Sequence, residues 1–146
     1  MPTHAEKRVL QHSQDHLYQM VADVEQYPQF LPWCTALRIR SRSEEQVTAD
    51  MMIGFKIFRE KFTTRVTFSP PDRIDVEYLN GPFRYLNNHW IFIPQDEGSC
   101  MVDFYVDFEF HSKILQKTIG LVFNEAVQKM IGAFESRADD LYGKSI

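Results

Sequence analysis

The run Cys100–Phe110, "CMVDFYVDFEF", leads within two residues into "SKILQKTIGLVFNEAVQKMIGAFESRADDLYG" (residues 112–143). In the first, Cys100, Val102, Phe104, Val106, Phe108 and Phe110 fall on one side, and Asp103, Asp107 and Glu109 on the other. That alternation defines a strand with one buried and one wet face. The second is helical in period for about 28 residues, or ~42 Å of helix. Ile119, Val122, Ala126, Met130, Ala133 and Phe134 form its apolar stripe, which Leu121, Phe123, Val127 and Ile131 widen. A helix this long and this apolar has to lie across a sheet.

The rest of the chain supplies that sheet. Residues 5–11 read as a first strand. Ser13 then offers an N-cap and Asp15 suits the positive end of a helix. Leu17, Met20, Val21 and Val24 give about three helical turns that stop before Pro28, followed by a second short helical turn. From Trp33 the period changes to two. Trp33, Thr35, Leu37 and Ile39 share one face, as do Val47, Ala49, Met51, Ile53 and Phe55. Phe58, Phe62, Val66 and Phe68 align, and so do Ile74, Val76 and Tyr78. In "RYLNNHWIFIP" the parity is ambiguous, and Trp90 and Phe92 are placed inward because they carry more apolar area. This order predicts an α+β fold of the helix-grip type. A curved antiparallel sheet of about seven strands surrounds a long C-terminal helix, with two short helices after strand 1. A curved sheet cannot press flat along a straight helix, so a cavity between them is expected.

Successive turns of a meander alternate between the two ends of the sheet. One end collects Phe30, Leu31 and Pro32, the "FKIF" turn, "NGPF" and the start of the long helix. The other collects the polar loops "SRSEEQ", "SPPD" and "PQDEG". Apolar loops at one end point to a ligand mouth, with Tyr27, Phe30, Leu31, Phe58, Phe83, Ile114 and Leu115 at its rim and the doubly proline-broken "YPQFLPW" as a flap. The expected lining is Trp33, Met51, Ile53, Phe55, Phe62, Tyr78, Trp90, Phe104, Val106, Phe123 and Val127, with Glu60 as a carboxyl group at the wall. Thr64 and Asn88 are further inward polar positions.

Twelve Phe among 146 residues make an unusually aromatic interior, while a net charge of −4 and a pI of about 5.7 give no global field for nucleic acid. DNA is excluded as a partner on that ground. One outer patch of the sheet collects positive charge, Arg38, Arg40, Arg42, Arg59, Lys61 and Arg65, and reads either as a solvated face paired with Asp75, Glu77, Asp103, Asp107 and Glu109 or as a docking surface for phosphate. Cys34 and Cys100 read as free thiols, and His12 and His16 as a solvated pair rather than a metal site. No nucleophile elbow or phosphate-cradling loop occurs, so no catalytic residue is assigned. Without a signal peptide or a membrane span, the expected location is cytoplasmic, with peripheral contact at the inner membrane face left open.

The stretches "VADVEQYPQFLPWC", "GFKIFREKFTTRV", "LNGPFRYLNNHWIF" and "VDFYVDFEFHSKILQ" resemble the coenzyme Q-binding protein family of START-like (Bet v 1-like), polyketide cyclase-type domains. The resemblance spans nearly the whole chain. It implies one START-like ligand-binding domain over residues 1–146 and non-catalytic binding of ubiquinone, or a similar isoprenoid lipid, in a hydrophobic tunnel in support of respiration. Ubiquinone is then a bound ligand, not a cofactor, and a transient membrane-surface contact is implied. Bacterial relatives include ribosome association toxins, which makes a ribosomal subunit the alternative partner. A cyclase-like enzyme using Glu60 is a third reading. The missing targeting segment of mitochondrial members suggests a bacterial form.

Overall fold

The computed structural model describes residues 3–31, 34–55, 58–95 and 98–143. Seven strands form one antiparallel sheet in the order β1-β7-β6-β5-β4-β3-β2. They are β1 (Thr3–Leu10), β2 (Cys34–Arg42), β3 (Gln46–Phe55), β4 (Phe58–Ser69), β5 (Arg73–Asn80), β6 (Phe83–Pro94) and β7 (Cys100–Phe110). The helices are α1 (Gln14–Ala22), α2 (Tyr27–Phe30) and the long α3 (Lys113–Tyr142). This is the expected helix-grip arrangement, with β2 to β7 as a meander and β1 closing beside β7.

Pro28 acts differently from expectation. Helix α1 ends at Ala22, a 3-10 turn covers Val24–Gln26, and Pro28 lies in the first turn of α2. At a helix start the N–H that proline lacks would have no intrahelical partner anyway, so the residue opens α2 rather than stopping α1. Ser13 caps α1 by accepting from the backbone N–H of His16 at 3.2 Å.

In β2 the expected parity fails at one point. A register shift between Cys34 and Ala36 turns Cys34 inward, 3% exposed, and leaves Thr35 outside with its hydroxyl donating to the Met52 carbonyl. A bulge inserts one residue and so exchanges the faces before and after it. In β6 Trp90 and Phe92 do point inward, opposite Phe104 and Val102 of β7. The β5–β6 turn needs Gly81, whose φ is +148° and where a Cβ would sit 2.6 Å from that of Phe62.

Helix α3, about 45 Å long, is fastened at its ends. At its start Ser112 accepts from the Leu115 N–H, and Gln116 accepts from the Phe110 N–H at 2.8 Å. Toward its end Arg8 binds Glu135, and His12 lies 2.9 Å from Asp139. His12 is therefore a buried packing residue and not half of a solvated pair. His16 stacks instead on Tyr142. Leu121, expected to widen the sheet-facing stripe, is 82% exposed, because the helix turns Ile119 and Phe123 toward the sheet.

Candidate functional site: an apolar cavity under the long helix

Between its two fastenings α3 stands off the sheet and encloses a cavity of about 220 Å³. By volume that is room for roughly 15 water molecules. The wall comes from β2 to β7, from α3, and from Val24, Tyr27 and Leu31 in the segment after α1. Among the described residues, none in the wall is Asp, Glu, His, Lys or Arg. A water inside would find few polar partners, and an apolar space of this kind favours an apolar occupant.

The polar groups in the wall are few and mostly engaged. Tyr27 donates its hydroxyl to the Val21 carbonyl, and burial pushes the phenol far above its usual pKa. Asn88 donates its amide to the Tyr105 carbonyl at 2.8 Å. Thr64, 4% exposed, has no hydrogen-bond partner among the described residues. Its hydroxyl is the natural anchor for one polar atom of a bound molecule.

Of the residues expected to line the cavity, Met51, Ile53, Phe62, Trp90, Phe104, Val106, Phe123 and Val127 do so. Trp33 lies outside the described residues, as does the side chain of Phe55. Glu60 pairs with Ile53 across β3 and β4 but is not part of the wall. Tyr78 also leaves it: the phenol oxygen accepts from the Phe83 N–H at 3.0 Å and the ring packs edge-on to Phe83, making a corner beside the turn.

Several residues expected at the rim belong to the wall itself. Tyr27, Leu31 and Phe83 line the cavity and are at most 9% exposed. Phe30 packs against Phe134 with Arg137 above its ring, and Leu115 packs among the aromatics of β4, β6 and β7. Ile114 remains outside, 79% exposed, and the Phe58 side chain lies outside the described residues. Tyr27 and Leu31 of the expected flap thus belong to the cavity wall, and its Pro32 and Trp33 lie outside the described residues.

The convex face of the sheet carries a feature that charge counting missed. Asp50 lies on it yet is only 2% exposed, accepting from Thr63 Oγ1 at 2.6 Å and from Arg40 Nε at 2.7 Å. These two bonds hold its carboxyl below the ordinary carboxylate range. Of the other basic residues there, Arg42 pairs with Glu25 and Arg65 with Glu77. Arg59 is also engaged. Arg38 and Lys61 form no salt bridge among the described residues, although the charge of Lys61 also acts on Asp50. An acidic residue inside an Arg-rich strand pair was the sequence signal for this network. The two thiols are free and buried, and burial raises that of Cys34 to about 11. No cluster of potential metal ligands occurs among the described residues.

A ligand-sized apolar cavity gripped between a curved sheet and one long helix is the architecture of lipid-transport and cyclase domains. Residues 10–135 match the family described as "Polyketide cyclase / dehydrase and lipid transport", and the chain belongs to it. A ribosome association toxin of Rickettsia prowazekii is 39% identical over 138 residues, 92% of this chain and 94% of that protein. The mitochondrial coenzyme Q-binding protein COQ10 homolog B of Xenopus laevis is 31% identical over 97% of this chain and 59% of its own length. Among solved structures, an 18 kDa protein of Caulobacter crescentus is 38% identical with a TM-score of 0.80 over 98% of this chain and 99% of that one. The Zhui aromatase/cyclase of a Streptomyces species shares the fold at a TM-score of 0.84, over 94% of this chain and 93% of that one, with 13% identity.

Proposed function

We propose that the chain binds a long isoprenoid lipid, ubiquinone or a close analogue, in the cavity under α3 and holds it without transforming it. The observation that carries this reading is the wall: predominantly apolar, with the Thr64 hydroxyl and the Asn88 amide as its polar side chains and, among the described residues, no ionisable group except a hydrogen-bonded, deeply buried tyrosine. General acid–base catalysis needs a titratable group within reach of the substrate, and Glu60 stands outside the wall. One carbonyl oxygen of a quinone would accept from Thr64. Burying the tail stabilises it by ~25 cal/mol per Å² only relative to water, and a membrane lipid already has an apolar environment. Transfer is then near balance, as suits a carrier or chaperone.

Contact with the membrane would be made by the first half of α3. Ile114 and Leu121 project into solvent there, Lys113 and Lys117 flank them, and no acidic side chain occurs on the helix before Glu125. Exposed aliphatics beside lysines suit an anionic lipid surface. No described helix is long and apolar enough to span a bilayer, so the contact is peripheral. The test is native purification followed by lipid extraction and mass spectrometry. Ubiquinone or a polyprenyl lipid at substoichiometric or higher occupancy is expected, and its absence from protein of the native host contradicts the proposal.

A second reading, association with a ribosomal subunit, draws on Arg38 and Lys61, which form no salt bridge among the described residues, and on relatives named as ribosome association toxins. Under it, Arg38→Glu with Lys61→Glu abolishes salt-dependent co-sedimentation with subunits and leaves lipid content unchanged. Failure of the wild type to co-sediment at low salt removes this reading.

A further inference from the structure

A second, smaller apolar pocket of about 40 Å³ lies behind the first, between β1, β7, α1 and α3. Trp90, Phe104 and Phe134 belong to the walls of both. Trp90 and Phe104 are opposed on β6 and β7 with ring centroids 4.6 Å apart, and Phe134 of α3 closes on Trp90 at 4.9 Å. The two pockets are thus separated by one layer of aromatic rings, two on the sheet and one on the helix. On its far side the small pocket is crossed by charges: Arg8 of β1 reaches Glu135 of α3 at 3.2 Å and Glu6 at 2.9 Å. Its remaining lining is apolar, including Phe92, Val102 and Ile131.

We propose that this pocket is a separate subsite for the distal end of a linear apolar chain, and that Phe134 is the gate through which the chain passes. The proposal rests on the lipid-binding reading of the main cavity. Thr64, the anchor for the polar end, is on β4, three strands from Phe104 on β7, roughly 14 Å at the usual strand spacing. A short tail ends inside the main cavity, whereas a longer one meets the aromatic layer. Trp90 and Phe104 are held in the sheet ladder. Phe134 is the ring that α3 contributes to the layer, and it lies beside Glu135, where Arg8 fastens the helix, so passage between the pockets requires this side chain to turn aside from Trp90. The Arg8–Glu135 bridge ties β1 to α3 at the outer edge and marks where the apolar lining of the pocket gives way to charge. Tail length is therefore selected by the small pocket, and head-group chemistry by the main cavity.

Two ligand series separate this inference from the reading beneath it: ubiquinones with one to four isoprene units, and the prenyl alcohols geraniol, farnesol and geranylgeraniol. Each is titrated against wild type, against Ile131→Phe, which fills the small pocket, and against Ile131→Ala, which enlarges it. Ile131 is absent from the main cavity wall. In wild type, affinity rises stepwise once the tail is long enough to enter. Ile131→Phe lowers the affinity of the longest member of each series about tenfold and leaves the shortest unchanged, as expected when a close-fitting apolar subsite is blocked. Ile131→Ala keeps the step and moves it toward longer chains. If prenyl alcohols show this pattern while quinones fail to bind, the subsite stands and the quinone reading falls. If both series bind with equal loss at every length, or with no change in Ile131→Phe, the subsite is refuted while lipid binding survives. If neither series binds, both fall.

Discussion

The two faces of the β2–β4 half-sheet are built from the same three strands and use opposite chemistry. On the concave face Leu37, Ala49, Met51, Phe62 and Val66 present apolar side chains to the cavity, with the Thr64 hydroxyl as the polar exception. On the convex face a carboxylate, Asp50, is buried as completely as any core residue and is kept charged by Thr63 and Arg40. The concave face excludes charge and leaves space. The convex face leaves no space around its charge. The difference teaches that one strand trio can bury a charge on its outer face through cross-strand partners while its inner face, with no ionisable side chain among the described lining residues of these strands, keeps a hollow.

Val106→Asp breaks that division most severely. It places an unpaired carboxylate in the cavity wall, where removal from water without a partner destabilises by at least about 3 kcal/mol. Urea denaturation should show a large fall in midpoint, and lipid uptake should be lost. A fall smaller than about 1 kcal/mol would mean that water already fills the cavity.

Asp50→Asn comes next. It removes the charge from two hydrogen bonds and is expected to lower stability by about 1.5 to 3 kcal/mol, far more than an ordinary surface carboxylate would. The pH dependence has a definite sign. A carboxyl whose folded pKa lies below its unfolded value gives its full stabilisation above the unfolded value and loses it as pH falls through the folded one. Wild type therefore loses this contribution below about pH 4, and Asp50→Asn should flatten that acid limb. An unchanged limb in urea melts from pH 6 to pH 2 would assign no such role to Asp50.

A smaller effect is expected for Thr64→Val. Shape is kept and one donor is lost, so quinone affinity should weaken by about 1 kcal/mol, roughly fivefold, with little change in the folded state. Equal affinity would place the head group elsewhere. Glu60→Gln should have the smallest effect, within about 0.5 kcal/mol on stability, and should support growth wherever wild type does. Loss of complementation with fold and bound lipid intact would favour an enzymatic role.

The concave face was the legible one. Alternation from Cys100 to Phe110 placed every inward residue of β7, and the area argument gave the correct parity at Trp90 and Phe92. Both work because a two-residue period has only two solutions and burial selects one. At Cys34 the bulge shifted the parity, and nothing in "WCTALRI" marks an inserted residue. Tyr78 kept its inward parity but was drawn to the Phe83 amide by the tight turn at Gly81. Tyr27, Leu31 and Phe83 were placed at a rim because they belong to loops. Whether a loop residue closes a cavity or edges it depends on how far the chain folds back, which periodicity does not encode. Asp50 was hidden for a related reason: alternation sorts faces, while burial on the outer face depends on cross-strand partners such as Thr63.

The central claim is that the hollow side holds an apolar chain, and Trp90 in its wall reports on this directly. With Trp33→Phe leaving Trp90 as the only indole, delipidated protein is titrated with ubiquinone and its emission followed. Saturable quenching that levels at one ligand per chain, and that Ala126→Phe, which fills the wall without adding an indole, abolishes, is the result this account predicts. Emission that declines only linearly with added quinone, as free collisions produce, and equally in the filled variant, would contradict it.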